Sequence, residues 1–303
     1  MLYPDFEELA LIGRKMASVR MERKTPAYAG SATVGQHVSP FHGQGLEFRE
    51  FRHYTPGDDV RNIDWRVTAR TGVPHLRTFA REQDRTVFMC VDMNLSMLFG
   101  TRCTFKSVQA ARVAAALFWC AYRYHDRVGG CVYGAVSGGL RVFPPMRTRQ
   151  SVWQMLGALC HDIDPHRNST HSRLTEALKR VSRMVPTGGH VFIISDFLNQ
   201  DEKLYNILQG MRKKCGITFV IISDIADREL PAVGRITTVG SNGSSLHIDT
   251  GNSIGGRKYT QSWNRAMDDL HVLARNLRSD TLFLSTQDDV CKLLANHFSL
   301  SAA

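Results

Sequence analysis

Apolar positions in this chain follow two rhythms, and they alternate from residue 86 onward. One is the short continuous run rich in β-branched and aromatic residues: Thr86–Val91, Val128–Tyr133, His190–Ser195, Ile217–Ser223 and Thr281–Ser285, with Leu140–Phe143 as a further short case. Such runs predict strands buried on both faces. The other is the three-and-four spacing of helices, which predicts helices over 104–124, Arg149–Cys160, Leu174–Val185, Asp201–Lys214, Tyr259–Arg278 and Asp288–Phe298. The first of these is apolar almost all round, as a helix packed inside a domain would be. The third is stopped by Pro186 and the Gly188-Gly189 pair. Fully apolar strands alternating with helices imply an α/β domain over 86–303: a doubly wound, mostly parallel sheet with helices on both faces. Arg235–Val239 and Ser244–Asp249 flank a Ser-Asn-Gly-Ser turn and predict a hairpin at the edge.

The first 85 residues read differently. Asp5–Arg23 carries a helical stripe of Phe6, Leu9, Ile12, Met16 and Val19. Residues 26–45, rich in Gly, Ser, His and Pro, predict a loop. Thr55-Pro56-Gly57-Asp58 is a turn signal, with Phe48, Phe51 and Tyr54 before it as apolar anchors. Beyond the turn, Ile63, Trp65, Val67 and Ala69 alternate with polar residues, the pattern of a half-buried strand. Opposite charges are dense here: Arg52, Asp58, Asp59, Arg61, Asp64 and Arg70 lie within nineteen positions. They predict Arg–carboxylate pairing that serves either as a latch between segments or as a docking surface. The expected division is an N-terminal helix and loop/strand segment over 1–85, packed on the main domain, followed by the α/β domain.

Composition narrows the class. Of 303 residues, 43% are hydrophobic and 22% charged, an ordinary globular balance. No apolar run approaches the roughly 20 residues that span a bilayer, and the N-terminus lacks a signal-peptide layout, so a cytoplasmic protein is expected. Seven cysteines without CxxC spacing point to buried reduced thiols. The net charge of +10 is concentrated in residues 86–200, where thirteen Lys/Arg face six Asp/Glu. That surplus suits an acidic protein partner or an anionic membrane surface; without basic runs interleaved with aromatics, nucleic acid is the weaker candidate.

Candidate chemistry gathers where strands end. Asp92, Asn94 and Ser96 follow the first buried run, and Asp196 follows His190–Ser195. In an open parallel sheet ligands sit at the carboxyl ends of strands. If the two strands are neighbours, both carboxylates face one crevice, with Ser172 and Thr175 adding hydroxyls from the loop before a helix. An oxygen-rich cup of this kind suits Mg2+. The same Asp92 and Ser96 would equally serve as plain helix caps. Cys160-His161-Asp162-x-Asp164-x-His166 has no standard zinc spacing and reads as a connection. Ser96 lacks the flanking glycines of a nucleophile elbow, and neither Gly-Gly pair carries the Lys-Ser/Thr of a phosphate loop.

Asp92-x-Asn94-x-Ser96, the hydroxyl loop and Asp196 resemble the metal-ion-dependent adhesion site of von Willebrand factor A domains. Asn94 and Ser172 depart from the usual Ser and Thr. The run Gly45-x-Glu47-Phe48, Arg52-x-Tyr54, Pro56-Gly57-Asp58-Asp59-x-Arg61-x-Ile63-Asp64-Trp65, Ala69-Arg70 and Ser96-Met97-x-Phe99-Gly100 resembles the bacterial domain-of-unknown-function family fifty-eight over about residues 35–300. That resemblance implies a von Willebrand A-like domain and a MoxR-type AAA+ ATPase as partner. It also implies a non-catalytic adaptor role in protein remodelling or metal-centre maturation on an unidentified client. Metal ligands would be Asp92, Asn94, Ser96, Ser172 and Asp196, holding Mg2+ or alternatively Mn2+ or Ca2+. The competing functions are a metal-dependent phosphoester hydrolase using the same cup and a basic nucleic-acid binder.

Overall fold

The structure is a computed structural model describing residues 4–16, 46–56, 58–81, 85–136, 138–161, 174–198, 203–229, 234–239, 245–249 and 253–300. The chain divides into two compact units, one of residues 25–84 and one of residues 1–24 with 85–303.

In the larger unit, helix α1 (Phe6–Lys15) starts at Asp5, whose side chain accepts from Glu8 N at 3.1 Å. The helix ends at Met16; the rest of the predicted Asp5–Arg23 helix lies outside the described residues. The sequence groups α1 with the N-terminal segment, but the structure packs it into the larger unit's core. Leu9 and Ile12 are buried beside α3 (Lys106–Arg123) and α4 (Arg149–His161). Trp119 of α3 donates its indole N–H to Leu9 O at 3.2 Å, and Arg112 pairs with Glu8 at 2.8 Å.

The main sheet has six strands. In chain order they are β3 (Thr86–Met93), β4 (Arg127–Gly134), β5 (Leu140–Met146), β6 (His190–Ser195), β7 (Gly216–Ser223) and β10 (Asp280–Ser285), set side by side as β10-β7-β6-β3-β4-β5. All neighbours are parallel except β5, which runs antiparallel to β4 at the edge. A β4–β5 connection of five residues is too short for the helical crossover that a parallel pair needs.

Side-chain alternation along the strands divides the interior into two layers. Val87, Met89, Val91, Phe192, Ile194, Val220 and Ile222 face α1, α3, α4 and α9 (Val290–Leu300). Phe88, Cys90, Val191, Ile193, Phe219 and Ile221 face α5 (Leu174–Met184), α6 (Leu204–Arg212) and α8 (Ser253–Asn276). The doubly wound α/β class expected from the alternating rhythms is therefore the one observed. A four-residue helix α7 (Ile225–Arg228) follows β7. Strands β8 (Arg235–Val239) and β9 (Ser245–Asp249) pair with each other as a separate antiparallel ribbon rather than joining the sheet edge.

The smaller unit corrects the sequence reading twice. Leu46–His53 and His75–Arg81 form an antiparallel pair, β1 and β2, that the sequence did not announce. The stretch predicted as a half-buried strand from Ile63 to Ala69 is instead helix α2 (Trp65–Thr71). Asp64 decides this: its Oδ1 accepts from Arg66 N at 2.9 Å and Val67 N at 3.0 Å, which nucleates a helix. Gly72, at φ 75°, closes it in the left-handed conformation that glycine adopts without a Cβ penalty. Alternation misled because no residue of α2 is buried; Trp65 is 69% exposed and Phe51, read as an anchor, 42%.

Candidate functional site

Chain order reverses between β3 and β6. From β3 the chain runs to β4 and β5 on one side, then returns to build β6, β7 and β10 on the other. Val91 pairs with Ile194 in register, so the next residues out, Asp92 and then Ser195 and Asp196, lie together at the carboxyl edge of this switch point. The two aspartates then turn to different partners.

Asp92 continues the Phe88 and Cys90 side of β3, as Ser195 continues the Val191 and Ile193 side of β6. The Ser195 hydroxyl donates to Asp92 Oδ2 at 2.6 Å and accepts from Phe197 N at 3.1 Å. Asp92 Oδ1 accepts from both Asn94 N at 2.9 Å and Asn94 Nδ2 at 2.7 Å. Tyr133, paired in register with Asp92, brings a buried hydroxyl to the same place. Burial raises the Asp92 carboxyl to about 6, with the charge of Asp196 adding to the rise and the Ser195 and Asn94 hydrogen bonds opposing it.

Asp196 faces Lys106, the first residue of α3. The Lys106 ammonium donates to Asp196 Oδ2 at 2.9 Å and reaches Asp227 of α7 at 3.1 Å; its side chain is 1% exposed. Asp196 Oδ1 accepts from Leu198 N at 3.2 Å. Burial on its own would depress the Lys106 pKa. The charges of Asp196 and Asp227 outweigh burial and hold it above the ordinary lysine value, so the ammonium persists. Phe99 covers it, with the nitrogen 5.7 Å from the ring centre.

Asp224 braces the floor. It accepts from the hydroxyls of Thr101 and Thr286, each at 2.6 Å, and from Thr101 N and Ala226 N. Its own N–H donates to Asp227 Oδ2 at 2.8 Å. One carboxylate thus ties together the segments after β3, β7 and β10, and these bonds lower its pKa despite burial. Gly100 belongs to this bracing: a Cβ there would sit 2.1 Å from Thr104 O, so the turn from β3 into α3 closes only on glycine.

The metal set read from the sequence is brought together in part. Asp92, Asn94 and Asp196 share the edge, and half-buried Ser96 sits in the short 3-10 turn Leu95–Met97. Asn94 serves as a donor to Asp92, and Ser172 lies outside the described residues. Thr175 is buried in the first turn of α5. The described donors do not fit a resident divalent ion. Both oxygens of Asp92 already accept hydrogen bonds, Asp196 is held by an ammonium, and no three His, Cys, Asp or Glu side chains converge for a metal among the described residues. Lys106, Asp224, Asp227, Ser195 and Tyr133 escape sequence reasoning. A faint signal existed in Lys106, Ser107 and Gln109, polar residues opening an otherwise apolar helix.

In the smaller unit, Arg52 pairs with Asp58 at 2.5 Å, and Asp58 also accepts from the backbone N–H and hydroxyl of Thr55. Arg52, then Thr55, holds the Asp58 carboxyl down at about 2. Asp59 accepts from Arg61 N at 3.0 Å, and Asp64 caps α2. These aspartates therefore set local turns. Arg61 and Arg70 make no ion pair among the described residues.

The fold and its strand-end cluster define an α/β protein with a switch-point crevice closed by internal ion pairs. The family described as "Protein of unknown function DUF58" matches residues 50–267, and the chain belongs to it. Uncharacterized proteins of Mycobacterium tuberculosis and Mycobacterium bovis are each 32% identical over 203 residues, covering 67% of this chain and 62% of theirs. This chain thus spans less than two thirds of those relatives' length. Among solved structures, an uncharacterized membrane spanning protein from Vibrio fischeri is similar at 13% identity and a TM-score of 0.24, covering 71% of this chain and 96% of that one. A von Willebrand factor type A protein from Catenulispora acidiphila is similar at 12% identity and a TM-score of 0.37, covering 75% and 43%. At these scores the fold assignment rests on strand order alone. No helix among the described residues is long and apolar enough to cross a membrane.

Proposed function

We propose that this chain is a non-catalytic interaction protein that works as an adaptor for a MoxR-type AAA+ ATPase in protein remodelling or complex maturation, docking through the carboxyl edge of its main sheet. One observation carries the reading. Phe99, Leu198 and Ile225 are exposed at 41%, 39% and 41%, and each follows the end of one of three adjacent strands, β3, β6 and β7. Single exposed apolar residues are common, but three at one edge, around a buried ammonium already paired from within, support a docking surface. A partner can bury that rim without stripping water from an unpaired ion.

The hydrolase alternative needs a reachable general base. Asp92 has a suitable pKa but is buried with both oxygens engaged. The test is capture of the ATPase in the presence of a slowly hydrolysed nucleotide by wild type and by a Phe99→Ser/Leu198→Ser/Ile225→Ser variant. The expected result is loss of capture, and a Leu198→Ser/Ile225→Ser variant, which leaves Phe99 in place over Lys106, should show the same loss with the unfolding temperature unchanged, since exposed positions contribute little to stability. Undiminished capture by the triple variant overturns the reading. Magnesium-dependent turnover of a phosphoester by wild type, abolished in Asp196→Asn, replaces it with the hydrolase.

A further inference from the structure

Lys106 breaks two placement rules at once. Lysine is among the residues least often found fully buried, and Lys106 is 1% exposed. A cation is also disfavoured at a helix N-terminus, where the macrodipole is positive, yet Lys106 opens an eighteen-residue helix. Two such costs persist only where something repays them. Here the repayment is visible: Asp196 from the end of β6 and Asp227 from α7 converge on the ammonium at 2.9 and 3.1 Å, with Asp224 locking Asp227 through its backbone N–H. Asp196 is also the strand-end carboxylate that an adhesion-type site would give to a metal ion.

We propose that Lys106 is the fixed cation of this edge: a tethered ammonium that takes the place of a divalent ion between Asp196 and Asp227, so that the wild-type domain is assembled without metal. The chemistry agrees. A magnesium ion asks for near-octahedral oxygen donors at about 2.0–2.1 Å. An ammonium asks only for acceptors near 2.9 Å, which is the spacing present. Asp92, left out of the ammonium's reach, is instead satisfied by Ser195 and Asn94. Removing the ammonium leaves two facing carboxylates in a braced, water-poor pocket, a set that an added divalent ion would neutralise. The inference concerns the interior of the edge and is independent of what docks on its rim.

The test uses the full chain and Mn2+ as probe, reading thermal unfolding and titration calorimetry with and without chelator. Wild type should give no saturable heat and no shift in unfolding temperature. Lys106→Ala should unfold at a lower temperature in chelator and regain several degrees at millimolar Mn2+, as mass action requires when the ion binds only the folded state. If Lys106→Ala does not fold in chelator, recovery of folded protein on adding Mn2+ is the equivalent supporting result. Stoichiometric Mn2+ binding by wild type that disappears in Asp196→Asn overturns the proposal. So does a Lys106→Ala protein that neither shifts nor recovers with Mn2+. Neither measurement involves a partner, so these failures leave the docking reading untouched.

Discussion

Lys106–Asp196 in the large unit and Arg52–Asp58 in the small one are the same kind of bond, a cation on an aspartate at 2.9 and 2.5 Å. Their surroundings are opposite. The first pair is closed under Phe99 at the end of a central strand, whereas the Arg52 side chain is 46% exposed. Distance alone would rank them as equals. In water a pair mostly exchanges one set of hydrogen bonds for another, and solvent screens what remains. Inside the sheet edge neither partner can return to water, so each needs the other.

The largest effect should come from breaking the buried pair. Lys106→Met keeps most of the side chain's volume and removes its charge, leaving Asp196 and Asp227 uncompensated. Such a loss typically costs about 3–5 kcal/mol. Urea unfolding at neutral pH should show it as a lower midpoint with an unchanged slope. A Lys106→Met variant as stable as wild type would erase the distinction between the two regions. Adding Asp196→Asn and Asp227→Asn to Lys106→Met should recover part of the loss, because the stranded charges go with it.

A smaller effect, visible only as a function of pH, belongs to Asp92. Its folded-state value of about 6 lies above the ordinary aspartate value of 3.8, so between those limits the folded protein binds more protons than the unfolded chain. Stability attributable to this group therefore falls as pH rises from about 4 to 6, and the whole cost, on the order of 3 kcal/mol, is present above 6. Asp92→Asn removes the charge and keeps an acceptor for Asn94. The difference in unfolding free energy between variant and wild type should grow in the variant's favour across that window and level off above it. A difference that does not change with pH would mean that Asp92 is solvated and belongs with the exposed class.

These contrasts also explain what the sequence disclosed. The sheet was legible because HVFIIS and ITFVIIS are buried on both faces, and burial writes itself into a run of apolar letters. Asp92 and Asp196 were legible as strand-end carboxylates, since each closes such a run. Their partners were not. Lys106 lies ninety positions from Asp196 and 121 from Asp227, and nothing local marks a lysine as buried. The small unit hid its structure for the converse reason. With no buried face, α2 offers no apolar stripe; its capping by Asp64 and Gly72 was the real signal, and the alternation from Ile63 to Ala69 was coincidence.

The smallest effect is the sharpest control. Arg52→Ala deletes the shorter of the two pairs, and Asp58 would then lose the main influence holding its carboxyl near 2. That carboxyl should titrate closer to the usual carboxylate range, which NMR titration of the side chain would read directly. Thr55 would still donate its N–H at 2.9 Å and its hydroxyl at 2.7 Å to Asp58, so the turn keeps its own closure. The midpoint of urea unfolding should stay where it is in wild type, at low and high salt alike. A fall in that midpoint comparable to that of Lys106→Met would show that exposure does not separate the two aspartate pairs. Their common chemistry, rather than their depth in the fold, would then be what stabilises this protein.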